Sequence, residues 1–144
     1  MDISKRGFTL IEILVVIGII TILSTVGMSA YISAGKNARD QQRIKDLTAV
    51  KQALELYRHD NSSYPKMAAD LTTQYLETVP KDGAYNQEYQ YQAKPDSCTT
   101  AGRDCTGFII CAKKEGMGSF DNPADCSSLS CDGANNCDMG LTSD

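Results

Sequence analysis

The sequence predicts an α+β protein in which a long N-terminal α-helix packs on a small antiparallel β-sheet head (residues 61–144) with a disulfide-rich C-terminal loop region. Three observations predict this fold: an apolar run near the N-terminus, a one-sided apolar repeat after it, and six cysteines confined to the last third of the chain. A chain of 144 residues is long enough for one small domain. The net charge of −4 and a pI near 4.9 exclude a strongly basic nucleic-acid-binding module.

Residues 8–34 are predicted to form a hydrophobic transmembrane helix. Between Gly7 and Gly35 the one charged residue is Glu12. As a helix the run is about 40 Å long, whereas bilayer hydrocarbon is about 30 Å thick. A carboxylate near the centre of such a span costs about 2.5–3.5 kcal/mol. Because its own segment offers Glu12 no partner, we expect one from elsewhere.

Two ordinary interpretations of this run remain open. A cleaved secretory signal could end near Ile32-Ser33-Ala34, although the apolar core of such a signal is usually only about 7–15 residues long. A plain single-pass anchor also accounts for the length of the run. Neither interpretation explains Glu12.

Residues 35–60 are predicted to continue as an amphipathic helix. Ile44, Leu47, Val50, Leu54 and Tyr57 recur at spacings of three and four. We expect the basic side chains to lie mostly off this apolar face; they are Arg39, Arg43, Lys45, Lys51 and Arg58. A coiled-coil dimer is the alternative, but the repeat covers only about two heptads. The turn-forming residues 59–63 predict the end of the helix.

The last fifty residues combine predicted strands with cysteines. Residues Glu88–Lys94 and Gly107–Lys113 are predicted antiparallel strands, and a third strand is expected near Gly116–Asp121. Because the order of an apolar anchor, a basic stalk and an acidic head suggests an exported head, we expect this segment outside the cytoplasm, where an even number of cysteines favours disulfides. Zinc is the alternative, but the chain has no CxxC pair and one histidine. Among fifteen pairings we favour the sequential pattern: Cys98–Cys105, Cys111–Cys126 and Cys131–Cys137.

The N-terminal residues resemble a known family. Lys5-Arg6-Gly7-Phe8-Thr9-Leu10-Ile11-Glu12 and the apolar run after it resemble the class III signal of type IV pilins and type II secretion pseudopilins. The resemblance implies that residues 1–7 are a leader, that a prepilin peptidase cuts after Gly7, and that Phe8 is then N-methylated. It also implies that Glu12 pairs with the methylated ammonium of Phe8 in a neighbouring subunit.

The resemblance extends into the head. The chain departs from the family pattern at two places, one in the head and one in the N-terminal helix. Tyr64-Pro65 and Val79-Pro80-Lys81-Asp82 are similar to segments of major pseudopilins and the simpler pilins. Residues 83–85 replace the Pro-Trp-Gly of several pseudopilins, and Ser29 stands about where many relatives carry proline. The major pseudopilins bind calcium in a comparable loop. Carboxylates that suit calcium are Asp121, Asp125, Asp132 and Asp138, with a solvated acidic surface as the alternative.

The resemblance implies a structural subunit that polymerises into a helical filament for adhesion, twitching motility or DNA uptake. The alternative is a major-type pseudopilin of a type II secretion system. The implied partners are copies of the same chain, the prepilin peptidase, the inner-membrane assembly platform, motor ATPases and minor pilins. The precursor would lie in the inner membrane, and the assembled subunit in an extracellular filament or a periplasmic pseudopilus.

No catalytic constellation predicts an enzyme, and no cofactor other than calcium is suggested. The acidic head also disfavours direct nucleic-acid binding. A different class of protein, an exported disulfide-rich binding domain or enzyme, would require removal of the apolar run by cleavage near Ala34.

Overall fold

The computed structural model describes residues 7–72, 74–116, 126, 129–131 and 137–143. The chain divides into two compact units: unit 1 is Met1–Gly35 and unit 2 is Lys36–Asp144. Helix α1, Leu10–Asn61, contributes residues to both units. Of the predicted leader, residues 1–6 lie outside the described residues.

In the described part of unit 2, α1 is followed by a 3-10 turn, Ala68–Leu71, and five short strands. The antiparallel pair β1 and β2 forms one sheet, and β3, β4 and β5 form an antiparallel sheet in that order. The strands are β1 Lys81–Asp82, β2 Gln87–Glu88, β3 Gln90–Lys94, β4 Gly107–Ala112 and β5 Met139–Thr142. The predicted α+β class is confirmed.

Helix α1 ends at Asn61, within the predicted turn segment. Ser62 has a φ of 63°, and its amide donates to the carbonyl oxygen of Arg58 at 2.7 Å. A residue in the left-handed conformation immediately after a helix turns the chain away from the helix axis. Tyr64, which follows, is fully buried, and its ring meets that of Phe108 edge to face at 4.9 Å.

Strand β4 is buried on both faces because alternate side chains enter two different cores. Phe108, Ile110 and Ala112 belong to the helix-side core, which also contains Leu47 and Leu54 of α1. The other face contributes Ile109 and Cys111 to the tail-side core, which also contains Cys126 and Cys137, with Leu129 and Cys131 packed against it. Each large apolar side chain buried in this way contributes about 1.5–3 kcal/mol.

The third strand lies later in the chain than the sequence predicts. Gly116 is not in a strand, and residues 117–121 lie outside the described residues. Strand β5 takes the place beside β4, with Leu141 opposite Ile110. It is held there because Met139 is 1% exposed in the helix-side core, where Leu141 packs against it.

Candidate processing and assembly site

The Gly7–Phe8 peptide bond lies outside any helix. Residues 7–9 are non-helical and exposed, and α1 begins at Leu10. The side chain of Phe8 is 83% exposed. Exposed, non-helical chain is where proteases preferentially cut, and this bond has both properties.

Thr9 and Glu12 form a capping box at the start of α1. The Glu12 carboxylate accepts hydrogen bonds from the amide and from Oγ1 of Thr9, each at 3.4 Å. In return, the Glu12 amide donates to Thr9 Oγ1 at 3.3 Å. This reciprocal arrangement satisfies amides that have no partner within the helix. Thr9 thus gives Glu12 two neutral hydrogen-bond donors within its own segment, whereas a partner for its charge from elsewhere stays a prediction.

The apolar run of α1 is open to its surroundings. An 18-residue window of α1 is apolar enough, by length and composition, to cross a membrane, and none of that window is buried. Thr21, Thr25 and Ser29 turn their hydroxyls onto carbonyl oxygens of the preceding turn at 2.7–3.1 Å. These three hydroxyls therefore have hydrogen-bond acceptors within the helix itself.

In unit 2 the same helix carries a buried arginine. The Arg43 side chain is 2% exposed and binds Asp82 through both Nε, at 2.7 Å, and Nη2, at 3.1 Å. Its Nη1 donates to Asp40 at 2.7 Å, and its Nη2 also donates to Glu115. We call these four residues the Arg43 cluster. The two-pronged contact with Asp82 is the strongest geometry available to an arginine and a carboxylate.

The cluster fixes the segment that leads into the cysteine-rich region. Asp40 accepts hydrogen bonds from the backbone amides of Glu115, at 3.0 Å, and Gly116, at 2.7 Å. A Cβ atom on Gly116 would lie 2.9 Å from Asp40 Oδ2 and still closer to Asn37 Oδ1. The backbone therefore approaches α1 as closely as only glycine allows.

Charge pairing in the cluster changes two ionisation equilibria. Burial opposes the charge on Arg43, but its hydrogen bonds to Asp82, Glu115 and Asp40 outweigh that effect and raise its pKa. Glu115 receives a hydrogen bond from Arg39 Nη2 at 2.6 Å. That bond, with the one from Arg43, lowers the pKa of Glu115 to about 2. Both groups are therefore charged at neutral pH.

The basic side chains were expected to lie mostly off the apolar face, and Arg43 is the exception, because it is buried. The buried face of α1 includes Asp40, Arg43, Leu47, Val50 and Leu54. Spacings of three and four carry the Leu47–Leu54 stripe back through Arg43 to Asp40, and this was the signal available. What the sequence could not supply was the identity of the two carboxylates that come from distant segments.

Six paired cysteines account for every cysteine in the chain. The sulfurs join in the sequential pattern, Cys98–Cys105, Cys111–Cys126 and Cys131–Cys137. Cys98, Asp104 and Cys105 lie close enough together to suggest a metal site. Because both sulfurs are already in a disulfide, they are not free to ligate a metal.

The aspartates considered for calcium are placed only in part. Asp121, Asp125 and Asp132 lie outside the described residues. Asp138 is described, and its carboxylate accepts a hydrogen bond from the backbone amide of Lys114 at 2.6 Å.

Comparison with known proteins places the N-terminal segment in a family. The family described as "Prokaryotic N-terminal methylation motif" matches residues 3–28. The chain is 35% identical to the type II secretion system core protein G of Klebsiella michiganensis over 89 residues, which are 61% of this chain and 63% of that relative. It is 29% identical to the protein of the same name in Vibrio cholerae over 112 residues, 67% of this chain and 76% of the relative.

A relative from a different filament system also matches. The type IV wide pilus major component PilA4 of Thermus thermophilus is 36% identical over 83 residues, 58% of this chain and 63% of the relative. The Klebsiella and Thermus matches thus span less than two thirds of the length of those relatives. No solved structure matches the chain. The methylation motif and relatives of both kinds thus make the chain similar to type IV pilins and to type II secretion pseudopilins.

Proposed function

We propose that this protein is a structural subunit of a helical filament, made as a membrane-anchored precursor, cleaved after Gly7 and N-methylated at Phe8. The observation that carries the proposal is the fully open apolar run of α1 directly after an exposed Gly7–Phe8 bond. Leaving an Ile or Leu side chain in water forfeits about 1.5–3 kcal/mol relative to burying it. Lipid in the precursor and neighbouring helices in the filament supply the missing burial for residues 8–34.

The charged end of the run gives the filament its register. In the proposed contact, the Glu12 carboxylate of one subunit pairs with the Phe8 ammonium of another. Each subunit then offers an acceptor and a donor at different heights along α1. A contact between different surfaces of identical subunits that does not close a ring builds a helix.

The proposed partners are copies of the same chain, a prepilin peptidase, an inner-membrane assembly platform with motor ATPases, and minor pilins. The precursor lies in the inner membrane, and the assembled subunit in an extracellular filament. The role is structural rather than enzymatic. We propose no direct contact with nucleic acid.

A second candidate function is the major pseudopilin of a type II secretion system. It is favoured by the resemblance to core protein G of two bacteria, whereas the pilus component of Thermus thermophilus favours a type IV pilus. Three disulfides in the head and the altered sequence after Asp82 lead us to place the pilus first. Deleting the gene and measuring surface fibres by electron microscopy and exoprotein secretion in parallel separates the two functions.

The proposal is tested first by the mass of the mature chain. We expect an N-terminal peptide that begins with N-methyl-Phe8. A mature chain that begins at Gly35 would instead identify a cleaved signal and an exported soluble domain.

The role of Glu12 is tested by separating its charge from its capping bonds. Glu12→Gln keeps an N3 side chain that accepts from Thr9 but removes the charge. Thr9→Val removes the capping hydroxyl and leaves the carboxylate in place. We expect Glu12→Gln to insert into the membrane but to assemble few or no filaments, and Thr9→Val to assemble them. Equal defects in the two variants would show that Glu12 acts only as a cap.

A further inference from the structure

The three disulfides differ in how readily a reagent in solution can reach their sulfurs. Cys98 and Cys105 are 1% and 0% exposed within the helix-side core, and Cys111 and Cys126 are each 0% exposed. Cys137 is 2% exposed, but its partner Cys131 is only partly buried at the edge of the tail-side core. Among the six cysteines, Cys131 is therefore the one that a reagent in solution can reach most readily.

We propose that Cys131–Cys137 is a site of thiol–disulfide exchange with a dithiol reductant, and that its opening releases the tail-side core while the helix-side core stays folded. The proposal does not depend on the filament function. It concerns the cover that the cysteine-rich region places over the outer face of β4.

The chemistry begins at the accessible sulfur. A thiolate of the reductant attacks Cys131 Sγ, forms a mixed disulfide with it, and expels Cys137 as a thiolate that takes a proton from water. The second thiol of the reductant then attacks its own sulfur in the mixed disulfide and releases Cys131. The reductant leaves as a cyclic or intramolecular disulfide, and both protein cysteines are reduced.

Release of this bridge weakens the rest of the tail-side core. Among the described residues, this core consists of Ile109 and cysteines, with Leu129 packed against it. The Cys137 amide donates to the Leu129 carbonyl oxygen at 2.9 Å within the same described part. Because the sulfurs make up most of this described core, we expect loss of one bridge to expose Cys111–Cys126 to the second attack.

The helix-side core has no such dependence. It holds large side chains of α1 and β4, among them Leu47, Leu54 and Phe108, and these are fully buried. The disulfide within it, Cys98–Cys105, is enclosed by that packing, and the Tyr64 amide donates to the Cys105 carbonyl at 2.9 Å. Reduction therefore proceeds in a fixed order: Cys131–Cys137, then Cys111–Cys126, then Cys98–Cys105.

The test uses the full-length chain in detergent micelles. The protein is treated with dithiothreitol for increasing times, thiols are trapped with iodoacetamide, and each alkylated cysteine is identified by peptide mass spectrometry. We expect Cys131 and Cys137 to be alkylated at least about tenfold faster than Cys98 and Cys105, because access controls exchange. Equal rates for all three bridges, or first alkylation of Cys98 and Cys105, would overturn the proposal.

A pair of double variants tests the order. Removing the first bridge with Cys131→Ser and Cys137→Ser is expected to speed reduction of Cys111–Cys126, since that bridge loses its cover. Removing Cys98 and Cys105 in the same way is the matched control and should leave that rate unchanged. Acceleration in both variants would indicate general loosening and refute the ordered release.

Hydrogen exchange on the wild-type chain distinguishes release from unfolding and needs no variant. After the first two bridges are reduced, amides of α1 between Leu47 and Leu54 should stay protected while residues 129–131 and 137 exchange quickly. Simultaneous loss of protection in both regions would show one cooperative unit and contradict the proposal.

Discussion

Replacing Arg43 with Gln removes the cation that pairs with all three of Asp40, Asp82 and Glu115. Each of these carboxylates is nearly as buried as the guanidinium, with side chains 9%, 10% and 13% exposed. Glutamine is too short and has too few donors to reach all three. The variant therefore leaves buried negative charges facing one another.

The size of the effect follows from that geometry. Removing one partner of a buried ion pair costs about 3–5 kcal/mol, because the remaining charge has lost its solvation and its counter-charge. With an m-value of about 2 kcal/mol per molar urea, the midpoint of unfolding falls by about 2 M. Arg39 provides the matched control, because its side chain is 47% exposed and, among the described residues, forms an ion pair only with Glu115. We expect Arg39→Gln to lower the midpoint far less than Arg43→Gln, because exposed ion pairs contribute little to stability.

The assay is urea unfolding of the full-length chain in detergent, followed by near-ultraviolet circular dichroism of its seven tyrosines. Both arginine variants lose one positive charge from neighbouring turns of the same helix, so general charge effects cancel in the comparison. Midpoints that agree within error for Arg43→Gln and Arg39→Gln would refute the reasoning.

Three further predictions concern acid, close packing and metal. The pKa of Glu115 is lowered from 4.5 to about 2. The ion pairs of Glu115 therefore contribute fully to the free energy of unfolding above about pH 4.5, and this contribution is lost as the pH falls toward 2. We expect the free energy of unfolding to fall by about 1–2 kcal/mol over this range, after allowance for the half-exposed Arg39 partner. Glu115→Gln should make the free energy of unfolding less dependent on pH there. Gly140→Ala would place a Cβ atom against Cys126 Sγ and 2.7 Å from the Ile110 carbonyl oxygen, whereas Gly83→Ala meets nothing within 4 Å. Gly140→Ala should therefore leave more free thiols after oxidative refolding than Gly83→Ala. Equal numbers of free thiols in the two variants would contradict the assigned packing. If the four aspartates form a solvated acidic surface, chelation with EGTA should leave the thermal midpoint of unfolding unchanged. A thermal midpoint that rises with added calcium would instead assign these aspartates to a metal site.

The parts of the fold that the sequence predicted are those with a local signal. The apolar run and a repeat of three and four predicted a helix to residue 60, one residue short of the end of α1 at Asn61. Alternating residues predicted the strand that became Gln90–Lys94, and a short apolar run predicted the strand that became Gly107–Ala112. In each case the neighbours along the chain decide the structure, so the pattern can be recognised without knowing its partners.

The parts that the sequence missed depend on contacts between distant segments. Burial of Arg43 requires carboxylates that lie 39 and 72 residues further along the chain. Strand β5 has four residues, too few for a clear alternation, and it forms because β4 offers a free edge. The candidate site near Glu12 follows the same rule: its cap is local, whereas its proposed partner belongs to another subunit.

Burial of β4 on both faces allows the two sides of the sheet to vary independently. A substitution at an even-numbered position of this strand changes the packing against α1. A substitution at an odd-numbered position changes the packing against the disulfide-bonded cover. Changes among the described tail-side residues, such as Leu129, can therefore be made without repacking the helix.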